Sequence, residues 1–368
     1  MRKKFIVKLG VLMMSSVMLA GCGEKQVDNT QLNLVGMSVE ELSEKAKEEG
    51  KISSVGMPDD WANWKSSWEA ITAKYGIEHD DTDMSSAEEL SMFQSEKDAP
   101  TKDIGDVGQA FGKTAIEMDV ALPYKASTWE SIPDWAKDPE GRWVISYYGT
   151  LSCMTNVDNV GEEITSWESL KNSNAKLTIG DVTTAAASQL AVLSCAYANG
   201  GGIDNIDPAI AYFKELAEQG RIDAGEYSQE RMVRGEIDVA TTWDYLALGY
   251  RDLTLAENPN ENIACHVLVD GSVQSGYALV INKYAPHPYA AALAREYIFS
   301  DAGQANLASA GAIPTRTDVE IPQEIQDATF QASAYANAIP MEDTESYTKA
   351  CAEIVERWQN EIIPLMVQ

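Results

Sequence analysis

Three short loops carry the residues with the most usable binding chemistry. They are Asp59-Asp60-Trp61, the stretch from Asp181 to Thr184 that includes Thr183, and Trp243-Asp244-Tyr245. Each loop is predicted to follow a strand and to precede a helix. Carboxylates and aromatic faces suit an organic cation, through ion pairing and cation–π contact. Threonine hydroxyls and free N–H groups at a helix start instead suit a phosphate-type anion, unless they only cap the helix.

Tyr148 is a further binding candidate, on a predicted extended strand over residues 143–156. Alternation places Tyr148 on the same face as Thr150, and it places Tyr147 on the opposite face. The two adjacent phenol rings therefore point apart, which suits chelation of a ferric ion poorly.

The sequence contains no recognisable catalytic or metal-binding motif. GxSxG, GxxxxGK[ST] and HExxH are all absent, and the three histidines lie in unrelated contexts. We therefore predict no enzyme, no catalytic residue, no metal ligand and no cofactor. Beyond Cys22, the cysteines are far apart and lie in apolar stretches, so we expect free buried thiols, although their even count leaves disulfides open. These cysteines are Cys153, Cys195, Cys265 and Cys351.

The N-terminus has the pattern of an export signal. Basic residues precede an apolar run, Val11 to Ala20, that is about half the length of a membrane-spanning helix. Its ending, Leu19-Ala20-Gly21-Cys22, resembles a bacterial lipobox. We predict a signal peptide over 1–21, a lipid on Cys22, and a polar tether over 22–37. The alternative is an ordinary signal peptide that happens to end near a cysteine.

Composition limits the class of protein. The chain has 368 residues, of which 45% are hydrophobic, enough for two lobes with a core each. Its formal net charge of −29 would repel nucleic acid and anionic lipid headgroups, so we exclude both as partners.

Strand and helix signals alternate along both halves. Ser38 and Glu41 form a capping-box pattern at the first helix. Apolar residues spaced by three and four predict a helix from Trp61 to Tyr75, and residues 103–111 read as a buried strand. This alternation predicts an α/β protein with two lobes, each built on a mostly parallel sheet. In such sheets ligands bind beyond the carboxyl ends of the strands, where the three loops lie.

Several segments together resemble a known family. The chain is similar to bacterial ABC-transporter solute-binding proteins, of the branch with iron-, polyamine-, thiamine- and phosphonate-binding members. The resemblance covers residues 52–316, and its motifs are DIGDVGQAF (103–111), SWESL (166–170), GEIDVATTW (235–243) and FSDAGQANLASAGAIPTR (299–316).

The resemblance implies a periplasmic-binding fold in which crossing hinge strands join the lobes and the ligand lies between them. Lobe one would comprise 38–150 and 276–320, lobe two 155–270, and a C-terminal helical segment would cover 321–368. Closure of such a hinge is a population shift that the ligand favours by contacting both lobes. The implied partners of this extracytoplasmic, monomeric protein are a small polar solute and an ABC permease with its ATPase.

The resemblance does not determine which class of solute the protein binds. Polyamine-binding relatives have a tryptophan where Trp243 stands, and the carboxylates of Asp244, Asp59 and Asp60 would take the charged ends. Iron-binding relatives carry a tyrosine pair where this chain has Tyr245-Leu246. We expect a polyamine-like cation, with ferric iron or a phosphate-type anion as alternatives and a sensory role as the rival class.

Overall fold

The computed structural model describes residues 28–32, 34, 36–223 and 225–366. The predicted signal peptide and Cys22 lie outside the described residues. The strands are β1 (Lys51–Val55), β2 (Glu78–Thr82), β3 (Ile104–Gly108), β4 (Val144–Asn156), β5 (Leu177–Thr178), β6 (Ile222–Asp223), β7 (Val239–Trp243), β8 (Ile263–Val267), β9 (Val273–Ile281), β10 (Ile313–Pro314) and β11 (Ile339–Pro340).

The helices fill most of the segments between the strands and the C-terminus. They are α1 (Val39–Glu49), α2 (Trp64–Tyr75), α3 (Ser86–Ser95), α4 (Gln109–Glu117), α5 (Val157–Val160), α6 (Trp167–Asn172), α7 (Ala186–Ala198), α8 (Asp207–Glu218), α9 (Gln229–Val233), α10 (Asp244–Glu257), α11 (Pro288–Ile298), α12 (Asp301–Ser309), α13 (Gln323–Asp327), α14 (Thr344–Arg357) and α15 (Ile363–Met366). A π-helical turn, Trp358–Ile362, joins the last two.

The strand order is β2-β1-β3-β9-β4-β7-β5-β6. Parallel pairs lie at both ends of this order, β2-β1-β3 in the first lobe and β7-β5-β6 in the second. Both sets contain βα units, so each lobe has helices against its sheet, as the α/β prediction requires. The carboxyl ends of β1 and β5 lead into two of the loops that the sequence analysis selected. The third predicted loop is wrong, because β7 ends at Trp243 and α10 begins at Asp244.

Two long strands connect the lobes. The first half of β4 pairs antiparallel with β9, from Val144 opposite Leu279 to Thr150 opposite Gln274. From Leu151 onward, β4 pairs instead with β7 and β8 of the second lobe. A single strand therefore belongs to both sheets.

The C-terminal segment also contacts both lobes. β11 pairs with the start of β9, and the Gln109 side chain on α4 donates a hydrogen bond to the Met341 carbonyl, 2.5 Å away. Helix α14 then packs against α4 of the first lobe and α7 of the second. This segment is a third physical connection between the lobes, in addition to β4 and β9.

Two predicted boundaries are wrong, for local reasons. The helix predicted from Trp61 begins at Trp64, because Ala62 and Asn63 adopt positive φ angles of 45° and 59° and form a turn. The strand predicted over 103–111 ends at Gly108, where α4 begins. The capping box at α1 is confirmed: Ser38 accepts from the Glu41 N–H, and Glu41 accepts from the Ser38 N–H.

The cysteines of the described chain are all free, as expected. Cys153, Cys195 and Cys351 are buried, while Cys265 is half-buried. No helix within the described ranges combines the length and the apolar character that crossing a membrane requires.

Candidate functional site

Five aromatic side chains from both lobes meet where the crossing strands run side by side. Tyr147 on β4 lies opposite Tyr277 on β9, and their rings stack with centroids 5.7 Å apart. Trp243 ends β7 and stacks parallel to Tyr245, at 6.3 Å. We call this group the aromatic cluster: Trp61, Tyr147, Trp243, Tyr245 and Tyr277.

The indole of Trp61 connects the two lobes within the aromatic cluster. It lies edge-on to Tyr277 of the crossing strand, at 5.4 Å, and edge-on to Tyr245 of the second lobe, at 6.3 Å. Its Nε1–H donates to the Tyr147 hydroxyl, 2.7 Å away. Because Trp61 remains half-buried, it is the member of the cluster that a solute would reach first.

A buried carboxyl group lies against the aromatic cluster. Asp106 on β3 is 1% exposed, and its Oδ2 accepts hydrogen bonds from the Tyr147 hydroxyl (2.7 Å) and the Trp64 indole (3.2 Å). Its Oδ1 has no hydrogen-bond partner among the described residues, and the nearby Ser146 hydroxyl donates to the Tyr277 carbonyl. Burial raises the pKa of Asp106 to about 8, against smaller opposing effects of these hydrogen bonds.

A second buried carboxyl group lies next to Asp106. Glu89 of α3 is 1% exposed, and its Oε2 accepts the Asp106 backbone N–H at 3.1 Å. Burial, and then the neighbouring Asp106 carboxyl, raise the pKa of Glu89 well above its usual range. The carboxyl group fits because Gly105 has no side chain: a Cβ there would lie 2.7 Å from Glu89 Oε2.

The entrance to this region is acidic. Burial raises the pKa of Asp83, and the neighbouring carboxylates of Asp81, Asp60 and Glu226 raise it further. Within the described chain, no lysine or arginine forms an ion pair with any of these groups or with the two buried carboxyls; the nearby Lys102 contacts Asp80 instead. The electrostatic field in this part of the molecule therefore favours a cation.

Asp244, next to Tyr245 of the aromatic cluster, links three elements of the fold by hydrogen bonds. It is 1% exposed, and its Oδ1 accepts from the backbone N–H groups of Thr150 and Tyr245, while Oδ2 accepts from the Tyr335 hydroxyl at 2.9 Å. Burial raises the pKa of Asp244 to about 6. With both oxygens occupied, Asp244 joins the crossing strand, the start of α10 and the C-terminal segment.

Removing the hydrogen bond between Tyr335 and Asp244 should lower the stability of the fold only modestly. Tyr335→Phe deletes the donor to Asp244, and we expect the free energy of unfolding to fall by about 1 kcal/mol. Urea denaturation measures this change. Tyr148→Phe is the matched control, because the Tyr148 hydroxyl bonds to no described residue, and an equal loss in both variants would contradict the assignment.

The sequence profile of the bacterial extracellular solute-binding proteins matches residues 99–337. The chain belongs to this family. Solute-binding proteins of this family are extracytoplasmic and serve ABC importers. No curated protein sequence matches the chain.

Solved structures of low sequence identity share the fold of this solute-binding protein. The periplasmic binding protein AfuA from Actinobacillus pleuropneumoniae, with fructose-6-phosphate bound, has a TM-score of 0.68 at 17% identity, over 84% of this chain and 98% of AfuA. Iron-bound HitA from Pseudomonas aeruginosa has a TM-score of 0.65 at 14% identity, over 83% and 98% of the two chains. The Atu4243 GABA receptor has a TM-score of 0.61 at 19% identity, over 84% and 96%. These neighbours are binding proteins with two lobes.

The structure of this solute-binding protein brings together only some of the predicted site residues. Trp61, Trp243 and Tyr245 belong to the aromatic cluster, with Asp244 beneath it. Asp59 and Asp60 are exposed, Asp60 being close enough to influence Asp83. Tyr148 lies on the opposite face of β4, where its ring contacts Trp135 at 5.9 Å.

The threonine loop leads into α7, whose first residue, Ala186, lies against Gly108 at the end of β3. Both the backbone N–H and the hydroxyl of Thr183 donate to Asp181 Oδ1, at 2.8 and 2.6 Å. Thr184 is half-buried, and α7 begins after Ala185 without a side-chain cap. Thr183 also lines a cavity of about 310 Å³ between α4, α7 and α14. Asp181 therefore occupies both Thr183 donors, while the first backbone N–H groups of α7 have no side-chain cap.

Four residues of the site were not selected from the sequence: Glu89, Asp106, Tyr147 and Tyr277. Asp106 carried a usable signal, since it is an acidic residue inside an otherwise apolar strand. Glu89 carried none, because an acidic residue in a helix is usually solvated. Tyr147 and Tyr148 lie on opposite faces of β4, and the sequence does not show which face lies towards the aromatic cluster.

Proposed function

We propose that this protein captures a small organic cation, polyamine-like in its chemistry, between its lobes and delivers it to an ABC permease. The observation that carries the proposal is the aromatic cluster, contributed by both lobes, around the unpartnered Oδ1 of Asp106. Aromatic faces attract ammonium groups and accommodate methylene chains. A buried carboxyl group that has no cationic partner in the described chain completes such a site.

The same features disfavour a phosphate-type anion. An anion between the lobes would face Asp106, Glu89 and the acidic entrance, with no lysine or arginine of the described chain among them. The Thr183 donors already bond to Asp181, so only the uncapped N–H groups at the start of α7 would remain for it.

Ferric iron is the second candidate, on one specific observation. The phenols of Tyr147, Tyr245 and Tyr277 are close enough to raise one another's pKa, and the Tyr245 hydroxyl is buried without a partner. Phenolate and carboxylate oxygens are hard ligands that suit ferric ion. Against iron, burial raises the pKa of all three phenols well above its usual range, which disfavours the phenolate form that binds the metal.

Thermal-shift measurements on the purified protein separate these candidates. Spermidine and 1,4-diaminobutane should raise the melting temperature by mass action, whereas fructose-6-phosphate and phosphonates should not. Ferric citrate would produce a visible phenolate-to-iron absorption band if the tyrosines bound the metal. A shift only with anions would overturn the cation proposal.

Trp61 gives a direct test of the aromatic contribution. Trp61→Ala should weaken binding of the diamine about tenfold, because a desolvated cation–π contact is worth about 1–2 kcal/mol. Isothermal titration calorimetry measures the change. Trp135→Ala is the matched control, because that half-buried indole packs on Tyr148 on the other face of β4. The Trp135→Ala variant should bind the diamine with the affinity of the wild type.

We further propose that the protein is a monomer tethered to the membrane through a lipid on Cys22. The tether would raise the effective concentration of loaded protein near the permease. Adjacent genes for a permease and an ATPase would support import, whereas a neighbouring sensor kinase would favour signalling.

A further inference from the structure

We infer that the cleft takes an ammonium group that bears N–H donors, and that this cation displaces a proton held by the buried carboxyl pair Glu89–Asp106. The inference rests on the proposed function and adds the kind of ammonium and its coupling to pH. Atoms and charge balance: the O–H bond of one carboxyl breaks, its proton leaves to solvent, and an N⁺–H···O⁻ hydrogen bond replaces it. The net charge of the site stays the same.

The carboxyl pair needs a proton when no ligand is bound. Glu89 and Asp106 are each 1% exposed and are in contact through the Asp106 N–H. Two buried anions side by side repel each other and lose hydration worth several kcal/mol per ion. No lysine or arginine of the described chain pairs with either carboxyl, so at least one is neutral in the unliganded protein.

The surroundings of the pair offer acids and phenols but no base. Asp81 influences both carboxyls, and Asp83 influences Glu89. The nearby Lys102 acts on Asp81, and its ammonium group contacts Asp80 and Thr82. The groups facing the pair are Glu89 and Asp106 themselves, Asp81 of β2, Asp83 after β2, Tyr147 of β4, Tyr277 of β9 and Tyr245 of α10.

The polar atoms that lack hydrogen-bond partners determine which kind of cation the site can hold. Asp106 Oδ2 already accepts two hydrogen bonds, while Oδ1 accepts none, and the Tyr245 hydroxyl is also unpartnered. A quaternary ammonium would satisfy the aromatic faces but would leave Oδ1 without a donor, which is costly in a buried site. A primary or secondary ammonium supplies that donor together with its charge.

The sign of the pH effect follows from the carboxyl titration. The free protein has a raised pKa of about 8 at Asp106, and a bound cation lowers it by favouring the ionised form. The affinity should therefore rise by about tenfold per pH unit for each proton released, until the pH exceeds about 8, and then level off.

Calorimetry with paired probes tests this inference on the purified full chain. The probes are 1,4-diaminobutane, spermidine and their fully N-methylated quaternary counterparts, at pH 6, 7 and 8 in buffers of different ionisation enthalpy. We expect release of about one proton per amine bound, about tenfold tighter binding at pH 7 than at pH 6, and about tenfold or more weaker binding of the quaternary partners. Asp106→Asn should abolish the proton release and the pH dependence, whereas Asp98→Asn, at an exposed position, should change neither.

The outcomes separate the two proposals. Equal affinity for the amine and its quaternary partner, or binding without proton release, would overturn this inference and leave the proposed function standing. Failure of every organic cation to bind would overturn both. The methylation and buffer comparisons use the wild-type protein, so they remain decisive even if Asp106→Asn does not fold.

Discussion

Replacing Gly108 by alanine should weaken solute binding about a hundredfold, equivalent to about 2.7 kcal/mol, while the unliganded protein keeps its melting temperature. Gly108 ends β3 of the first lobe and lies against Ala186, the first residue of α7 in the second lobe. A Cβ at position 108 would overlap the Ala186 Cβ and lie 3.7 Å from the Ser86 Oγ. Opening of the hinge removes this steric clash at the lowest energy, because the two clashing residues belong to different lobes.

The expected loss follows from closure. A ligand stabilises the closed form by contacting both lobes, so a protein that cannot close loses the contacts of one lobe. Small-angle X-ray scattering should show that saturating diamine reduces the radius of gyration of the wild type but not of Gly108→Ala.

A glycine in open space provides the control. Gly249→Ala, at an exposed position of α10 with no atom near the new Cβ, should bind and close like the wild type. Unchanged affinity in Gly108→Ala would mean that the two lobes do not need this contact to hold the solute.

Arg295→Met should remove about 4 kcal/mol of stability, the largest folding effect that we expect. Arg295 on α11 is fully buried, and its guanidinium donates to the carbonyls of Tyr124 (2.7 Å), Gly141 (2.8 Å) and Leu279 (2.9 Å). Burial lowers the pKa of Arg295 to about 9. Methionine has a similar volume but would remove the guanidinium donor from three buried carbonyl groups, of which Gly141 keeps the Tyr124 N–H.

Urea denaturation, followed by tryptophan fluorescence, measures this loss. The control is Arg251→Met, at a partly exposed arginine that pairs only with the adjacent Asp252, where we expect a change within about 0.5 kcal/mol. A loss below about 1 kcal/mol in Arg295→Met would contradict the view that this guanidinium holds the long loop before β4 against the first sheet.

The fold was predictable because its signals are local and repeated. Alternating strand and helix patterns, the capping box at Ser38 and the long extended segment up to Asn156 depend on a few neighbouring residues each. The α/β class and the two-lobe fold follow from their order, and both predictions are confirmed. The start of α2 was wrong by three residues because the turn at Ala62 and Asn63 uses positive φ angles at residues that give no sign of it.

Residues of the candidate site were predictable only where a side chain with binding chemistry also lies, by its sequence context, at the end of a predicted strand. Trp61 stands out because it follows β1 in a polar loop, and Trp243 because it ends β7 next to Asp244. Glu89 and Tyr277 become site residues only through tertiary packing, which brings α3 behind β3 and β9 beside β4. The face of β4 that looks into the cleft is likewise set by its pairing with β9, so the sequence alone does not distinguish Tyr147 from Tyr148.

A crystal structure of the protein grown with 1,4-diaminobutane tests the central claim most directly. The account predicts one diamine between the lobes, with a nitrogen at hydrogen-bonding distance from Asp106 Oδ1 and the aromatic cluster around its carbon chain. A closed complex with the diamine elsewhere, or with an anion against Asp106, would contradict it.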